Sequence, residues 1–252
     1  MVKDLCFEII ETCLNNCMFC SSNSNCNKSQ IISFDDFKRT IDFFMKTGGI
    51  EELSLSGGEP FLHPDLIKMV EYSKSLGIRT VIFTSGVTKS GGISDEEKIK
   101  IKDEMNSQLQ EIADEELLKQ KVVNFYNRLL SPPSFTSISR ETLVRLQKVG
   151  LDKIVFDYQA YEYETDHMLM GRKEISRLSL LKSLITSSLI GLEVDVHFVP
   201  MKPNYKEIGD ILEMLEIAEV KNISLLNFLP QGRGKINQKN LQLSDEELKE
   251  FF

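Results

Sequence analysis

The chain has 252 residues, enough for one sizeable hydrophobic core, and single α/β barrels commonly reach this length. Its formal net charge of -8 argues against a general nucleic-acid binder, because phosphate binding needs Lys and Arg gathered in surplus on one face. The opening MVKDLCFEIIETC is too short in its apolar stretch and too interrupted by charge for a secretory signal, and no later run is long enough to cross a bilayer. A cytoplasmic protein with no membrane and no nucleic-acid partner is therefore expected. Thiols stay reduced there, so clustered cysteines point to a metal site rather than to disulfides.

In chain order, short β-rich runs alternate with amphipathic segments, the pattern of repeated βα units around a parallel sheet. A strand is predicted at 4–11, followed by a cysteine-rich loop and a helix at 34–46, N-capped by Ser33 and ended by Gly48-Gly49. A second strand at 52–56 runs into Gly57-Gly58-Glu59-Pro60, and the next helix, 64–76, ends at Gly77. The third strand, 79–84, leads to Thr84-Ser85-Gly86. Residues 88–137 then break the rhythm, because a βα loop is normally a few residues and this segment is long, highly charged and ends in Pro132-Pro133. It reads as an insertion, helical over 95–130, with Ile99, Met105, Leu109, Ile112, Leu117 and Leu118 as an apolar stripe and its charges facing water. The alternation resumes with a helix at 140–149 capped by Ser139, a strand at 153–158, a helix at 173–190 and a strand at 192–199. A helix at 204–218, a strand at 222–229 and the closing LSDEELKEFF behind Ser244 complete six βα units in one domain over 1–252.

Cys13, Cys17 and Cys20 follow the first strand, and their spacing of four then three lets a tight loop turn three sulfurs toward one centre. Three thiolates can hold three irons of a four-iron cluster and leave the fourth iron without a protein ligand, the open position that a catalytic site keeps. The competing reading is a closed zinc site with Cys26 as fourth thiolate, although zinc sites usually pair two short Cys-Cys knuckles and this loop does not. Cys6, inside a strand, reads as a small buried hydrophobe.

With this triad the chain resembles the radical S-adenosylmethionine superfamily, whose defining motif is three cysteines at the spacing of Cys13, Cys17 and Cys20 after the first barrel strand. The resemblance implies an α/β fold, a partial (β/α)6 TIM-type barrel with a parallel sheet, here with a helical insertion after the third strand and ligand residues at the strands' carboxyl ends. It implies a [4Fe-4S] cluster and S-adenosylmethionine as cofactors. The methionyl amine and carboxylate chelate the open iron, and reductive C–S cleavage yields a 5'-deoxyadenosyl radical that takes hydrogen from substrate. Phe19 matches the family's frequent aromatic before the third cysteine, whose neighbourhood contacts the adenine.

Further positions carry the resemblance along the chain. Gly57, Gly58, Glu59 and Pro60 resemble the Gly-Gly-Glu-Pro motif that binds the methionyl amine; the glycines would let backbone approach a ligand, and Glu59 would accept from its ammonium. Thr84 and Ser85 resemble Thr-Asn-Gly with Ser in place of Asn, a hydroxyl able to bond a carboxylate or a ribose. Asp157 and Gln159, two apart and so expected on one face, occupy the strand end that serves the ribose hydroxyls in the family. His197 on the fifth strand reads as a structural residue. Asn204 resembles an asparagine that contacts the methionyl carboxylate, and Gln231 and Gly232, within Pro230-Gln231-Gly232-Arg233-Gly234, resemble a run near the adenine.

The pattern looks most like the branch of peptide-modifying maturases and the molybdopterin-precursor cyclase, whose cysteine-rich extension after the sixth unit is absent up to Phe252. The implied partners are a peptide or small-molecule substrate and a flavodoxin or ferredoxin as electron donor. The rival class is a non-catalytic iron–sulfur or zinc binding module.

Overall fold

The β-rich runs and amphipathic segments fold into the expected alternation in a computed structural model that describes residues 2–89, 94–112, 115–130, 135–172 and 174–251. The first elements are β1 (Val2–Ile10), α1 (Phe34–Thr47), β2 (Ile50–Gly57), α2 (Leu66–Ser75) and β3 (Arg79–Thr84). Then come β4 (Val87–Lys89), α3 (Asp95–Glu111), α4 (Glu116–Leu130), β5 (Phe135–Ser137), α5 (Arg140–Lys148), β6 (Lys153–Asp157), α6 (Tyr163–Met170) and α7 (Glu174–Leu189). The chain closes with β7 (Glu193–Phe198), α8 (Ile208–Ile217), β8 (Asn222–Leu225), α9 (Gly232–Ile236), α10 (Gln238–Leu241) and α11 (Asp245–Phe251). Ser33, Ser139 and Ser244 accept the backbone N–H of Asp36, Thr142 and Glu247, each satisfying a donor that a helix leaves open, a contribution of about 1 kcal/mol per cap.

The main sheet has the order β1-β2-β3-β6-β7-β8, and its adjacent strands pair in parallel. Alternation along each strand sends one set of side chains to the helices. Leu53, Leu55, Ile82, Ile154, Phe156, Val196 and Phe198 are fully buried in that core. The opposite face is polar: Glu8 stands beside Ser56, and Asp157 beside His197. Cys6 belongs to this second face, between Asp4 and Glu8, and is exposed. The expectation of a buried Cys6 is corrected by strand parity, since its neighbours Leu5 and Phe7 are the residues that pack on the core.

The chain divides into two compact units, Met1–Thr88 with Ser137–Phe252, and Lys89–Thr136. In the second, α3 starts at a complete capping box formed by Ser94 and Glu97 and packs with α4. Of its apolar stripe, Met105, Leu109 and Ile112 are half-buried, while Ile99, Leu117 and Leu118 are exposed. Pro132-Pro133, Lys173 and Phe252 lie outside the described residues. The short helices α6, α9 and α10 were not expected, because YETDHMLM, GRGKI and QKNL are too brief to display an apolar stripe. Among the described residues no helix is long and apolar enough to cross a membrane.

Candidate functional site

Cys13, Cys17 and Cys20 sit just beyond the carboxyl end of β1, in a loop that makes little regular structure of its own and is held by its neighbours. Asn16 and Met18 donate backbone N–H groups to the carbonyls of Met170 and Leu169 at the end of α6. From the start of α9, Arg233 donates through Nε to the Cys17 carbonyl at 2.7 Å, through Nη2 to that of Ser24 at 2.8 Å and through its backbone to that of Cys20 at 2.9 Å. Asn237 adds an amide bond to the Met18 carbonyl. The three thiols border one cavity, shared with Phe19, Ser56, Phe83 and Asp157. Burial pushes the Cys13 thiol up to about 12, with the nearby Glu59 carboxylate adding to the effect. Burial likewise raises Cys17, and in both cases the Arg172 guanidinium pulls the other way. Cys26 is exposed, and its thiol donates to Asn27 instead of bordering the cavity.

The glycines after β2 make a close approach, but to the chain itself. A Cβ on Gly57 would collide with the carbonyl of Ile10, and one on Gly58 with the carbonyls of Glu11 and Thr12. With no side chain in the way, Gly58 and Glu59 donate backbone N–H groups to Ile10 and Thr12, and so pin the segment entering Cys13 onto β2. Gly58→Ala is therefore expected to cost about 1–3 kcal/mol through overpacking against rigid backbone, read as a lower urea midpoint together with reduced iron uptake. A variant matching the parent in both would refute the packing role.

Glu59 is fully buried, and all its acceptor positions are met from within the chain. Oε1 accepts from Phe61 N at 3.1 Å and Thr84 Oγ1 at 2.7 Å; Oε2 accepts from Ser85 N at 2.8 Å and Ser85 Oγ at 2.5 Å. Burial raises its pKa and these donors oppose the rise. The carboxylate ties the end of β2 to the end of β3, with Pro60 opening the 3-10 turn behind it. Thr84 and Ser85 border the cavity, yet their hydroxyls are turned to Glu59.

Asp157 and Gln159 do not share a face, which corrects the parity argument: β6 ends at Asp157, and the alternation ends with it. Asp157 borders the cavity. Gln159 is fully buried, donating to the His197 carbonyl at 2.9 Å and accepting from Val199 N at 2.8 Å. Asn204 is spent in the same way: its amide donates to the carbonyls of Gln159 and Val199 and accepts from Met201 N. Together they staple the end of β6 to the turn after β7. Gln231 is exposed, and a Cβ on Gly232 would meet the carbonyls of Ser21 and Cys20. This run thus clasps the cysteine loop. His197 lies on the polar face, its ring 5.1 Å from that of Phe83.

Sequence reasoning missed Arg172 and Asp166, a fully buried ion pair at 3.1 Å. The guanidinium also donates to the Ser85 carbonyl at 3.0 Å and the Asp157 carbonyl at 3.2 Å, joining the ends of β3 and β6 beside the thiols. Nothing in the local pattern marks them, because an Asp and an Arg six apart read as surface charge.

A cavity at the carboxyl ends of parallel strands, bordered by three cysteines, defines a class. Residues 7–106 match the model of the Radical SAM superfamily, the class that this cavity resembles. Among curated proteins it is 24% identical over 236 residues to a probable GTP 3',8-cyclase of Saccharolobus islandicus, covering 93% of this chain and 60% of the relative. A protein of the same description from Sulfurisphaera tokodaii is 23% identical over 238 residues, covering 93% and 58%. The chain thus spans about three fifths of the length of these relatives. Among solved structures, Streptococcus suis SuiB bound to S-adenosylmethionine aligns with a TM-score of 0.66 at 15% identity, over 100% of this chain and 46% of SuiB. Methylornithine synthase (PylB) aligns at 0.60 and 14%, over 98% of this chain and 60% of its own. The fold is the partial TIM-type barrel these proteins share.

Proposed function

We propose that the chain forms a radical S-adenosylmethionine enzyme core, in which Cys13, Cys17 and Cys20 hold three irons of a [4Fe-4S] cluster and leave the fourth open to S-adenosylmethionine. The observation that carries the reading is three thiols, and among the described residues no fourth, bordering one cavity at the sheet's carboxyl end. Among the described residues no three His, Cys, Asp or Glu side chains gather closely enough to hold a single ion. A closed zinc site would need a fourth thiolate, and Cys26, the candidate for it, is exposed and donates to Asn27.

When bound, the cluster would supply the electron that cleaves the cofactor's C–S bond to give a 5'-deoxyadenosyl radical, which takes a hydrogen atom from substrate. Phe19 offers an aromatic face within the cavity, and the Asp157 carboxylate, on the same lining and close to His197 and Arg172, suits the ribose hydroxyls. Gly57, Gly58, Thr84 and Ser85 form the wall between them, braced from behind by Glu59. Gln159, Asn204, Gln231 and Gly232 act at one remove, by holding the strand ends and the cysteine loop. The substrate is a peptide or small molecule, the two chemistries named for SuiB with its precursor peptide and for the GTP 3',8-cyclases. A flavodoxin or ferredoxin serves as electron donor, and residues 88–137 are an insertion into the core.

Protein reconstituted anaerobically with iron and sulfide, then reduced with dithionite, is expected to release 5'-deoxyadenosine and methionine from S-adenosylmethionine. Zinc without sulfide in anaerobically prepared protein, and no nucleoside product, would replace this reading with that of a binding module.

A further inference from the structure

Halfway between the first two cysteines, the side chain of Asn15 has chemistry that the loop does not use. It is only 4% exposed, it borders the cavity that the three thiols share, and its Nδ2 is buried without a hydrogen-bond partner. Of the partnerless buried polar atoms among the described residues, it alone belongs to a residue on that cavity. A buried amide N–H without an acceptor costs free energy comparable to a lost hydrogen bond, so such a group marks a missing partner. Other donors here are already placed. The Asn15 backbone N–H serves the Cys13 sulfur, and the Ser22 hydroxyl lies 3.6 Å from Cys20 Sγ.

We propose that Asn15 is a positioning residue whose amide N–H is donated to a sulfur of the cluster held by Cys13, Cys17 and Cys20, and that this bond raises the cluster's reduction potential. The inference rests on the cluster reading above. The terminal amide torsion is broad, and a half-turn exchanges the amide's two ends, so the donor reaches the cavity without backbone movement. The electronic consequence follows from charge: a reduced cluster carries one more negative charge than an oxidised one, so a donor at its sulfur stabilises the reduced form more.

The test compares parent, Asn15→Leu, Asn15→Asp and Asn15→Gln proteins, each reconstituted anaerobically, by iron and sulfide content and by a redox titration followed by electron paramagnetic resonance. With clusters complete, Asn15→Leu should show a roughly tenfold lower reduced-to-oxidised ratio at a given potential, a fall of about 59 mV for one electron. Asn15→Asp, with an acceptor in the donor's place, should fall at least as far, and Asn15→Gln should recover part of the loss. A complete cluster with an unchanged potential in Asn15→Leu or Asn15→Asp overturns the proposal. So does loss of the cluster from both, which would assign Asn15 to loop folding alone. Absence of a cluster from the parent would instead refute the underlying functional reading.

Discussion

Cys17→Ala is expected to abolish both cluster assembly and release of 5'-deoxyadenosine, while leaving the fold in place. Two thiolates can ligate only two irons, and the described structure brings no fourth cysteine to the cavity, since Cys26 is exposed and bonded to Asn27. The Cys17 thiol donates to the Met170 carbonyl at 4.0 Å and packs at the edge of the small apolar cluster of Leu169, Met170, Met201 and Leu241, a contact that alanine keeps in part. The loop's backbone is held independently, by Arg233 at the Cys17 carbonyl and by Met18 on Leu169. Thermal unfolding of the metal-free variant should therefore track the parent, and iron analysis and product formation should not. Cys26→Ala is the control and should keep its cluster. Parent-level product from Cys17→Ala would rule out the ligand assignment, and loss of metal from Cys26→Ala would support a four-thiolate site.

Arg172→Met should cause the largest loss of stability of any substitution outside the apolar core. Arg172 and Asp166 both have side chains with 0% exposure, so removing the guanidinium strands a carboxylate away from water. Breaking a buried pair on one side costs about 3–5 kcal/mol. The carbonyls of Ser85 and Asp157 lose their donor as well, loosening β3 from β6 where both reach the cavity. Urea unfolding would measure the effect, and a cost under about 1 kcal/mol would contradict it. Replacing both partners, as Asp166→Leu with Arg172→Met, should recover much of the loss, because an apolar pair of similar volume is often as stable as the ions.

The deficit should also depend on pH. Burial raises the Asp166 pKa, and Arg172 is the main influence holding it down. In the variant the folded-state pKa therefore lies further above the unfolded value of about 3.9. Protonation then favours the folded form, fully below the unfolded pKa, and that benefit is lost as pH rises through the folded one. Arg172→Met should accordingly be closer to the parent in stability near pH 5 than near pH 7.

Six strands and the principal helices were legible in the sequence because their signals are local: periodicity, a serine before a helix, a glycine after it. The triad was legible because Cys13, Cys17 and Cys20 lie in one loop, where spacing alone limits what the sulfurs can reach. Gln159 was misplaced because parity holds only while a strand continues, and where β6 stops is set by its pairing with β7. Cys6 was misplaced for a related reason: a single thiol does not announce which face of a strand it occupies, and the polar face is defined only when neighbouring strands align.

What the sequence determined by itself was the alternating βα order, the loop that gathers three thiols, and the need for glycine at 57 and 58. Tertiary structure decided how the polar groups are spent. Glu59, Gln159 and Asn204 are chemically able to grip a ligand, and each instead closes its hydrogen bonds on chain segments distant in sequence. Arg172 and Asp166 became a buried clamp by the same route. The physical reason is that a buried polar group takes whichever partner the fold brings within about 3 Å, and that partner is chosen by packing between strands, not by the residues beside it in the chain.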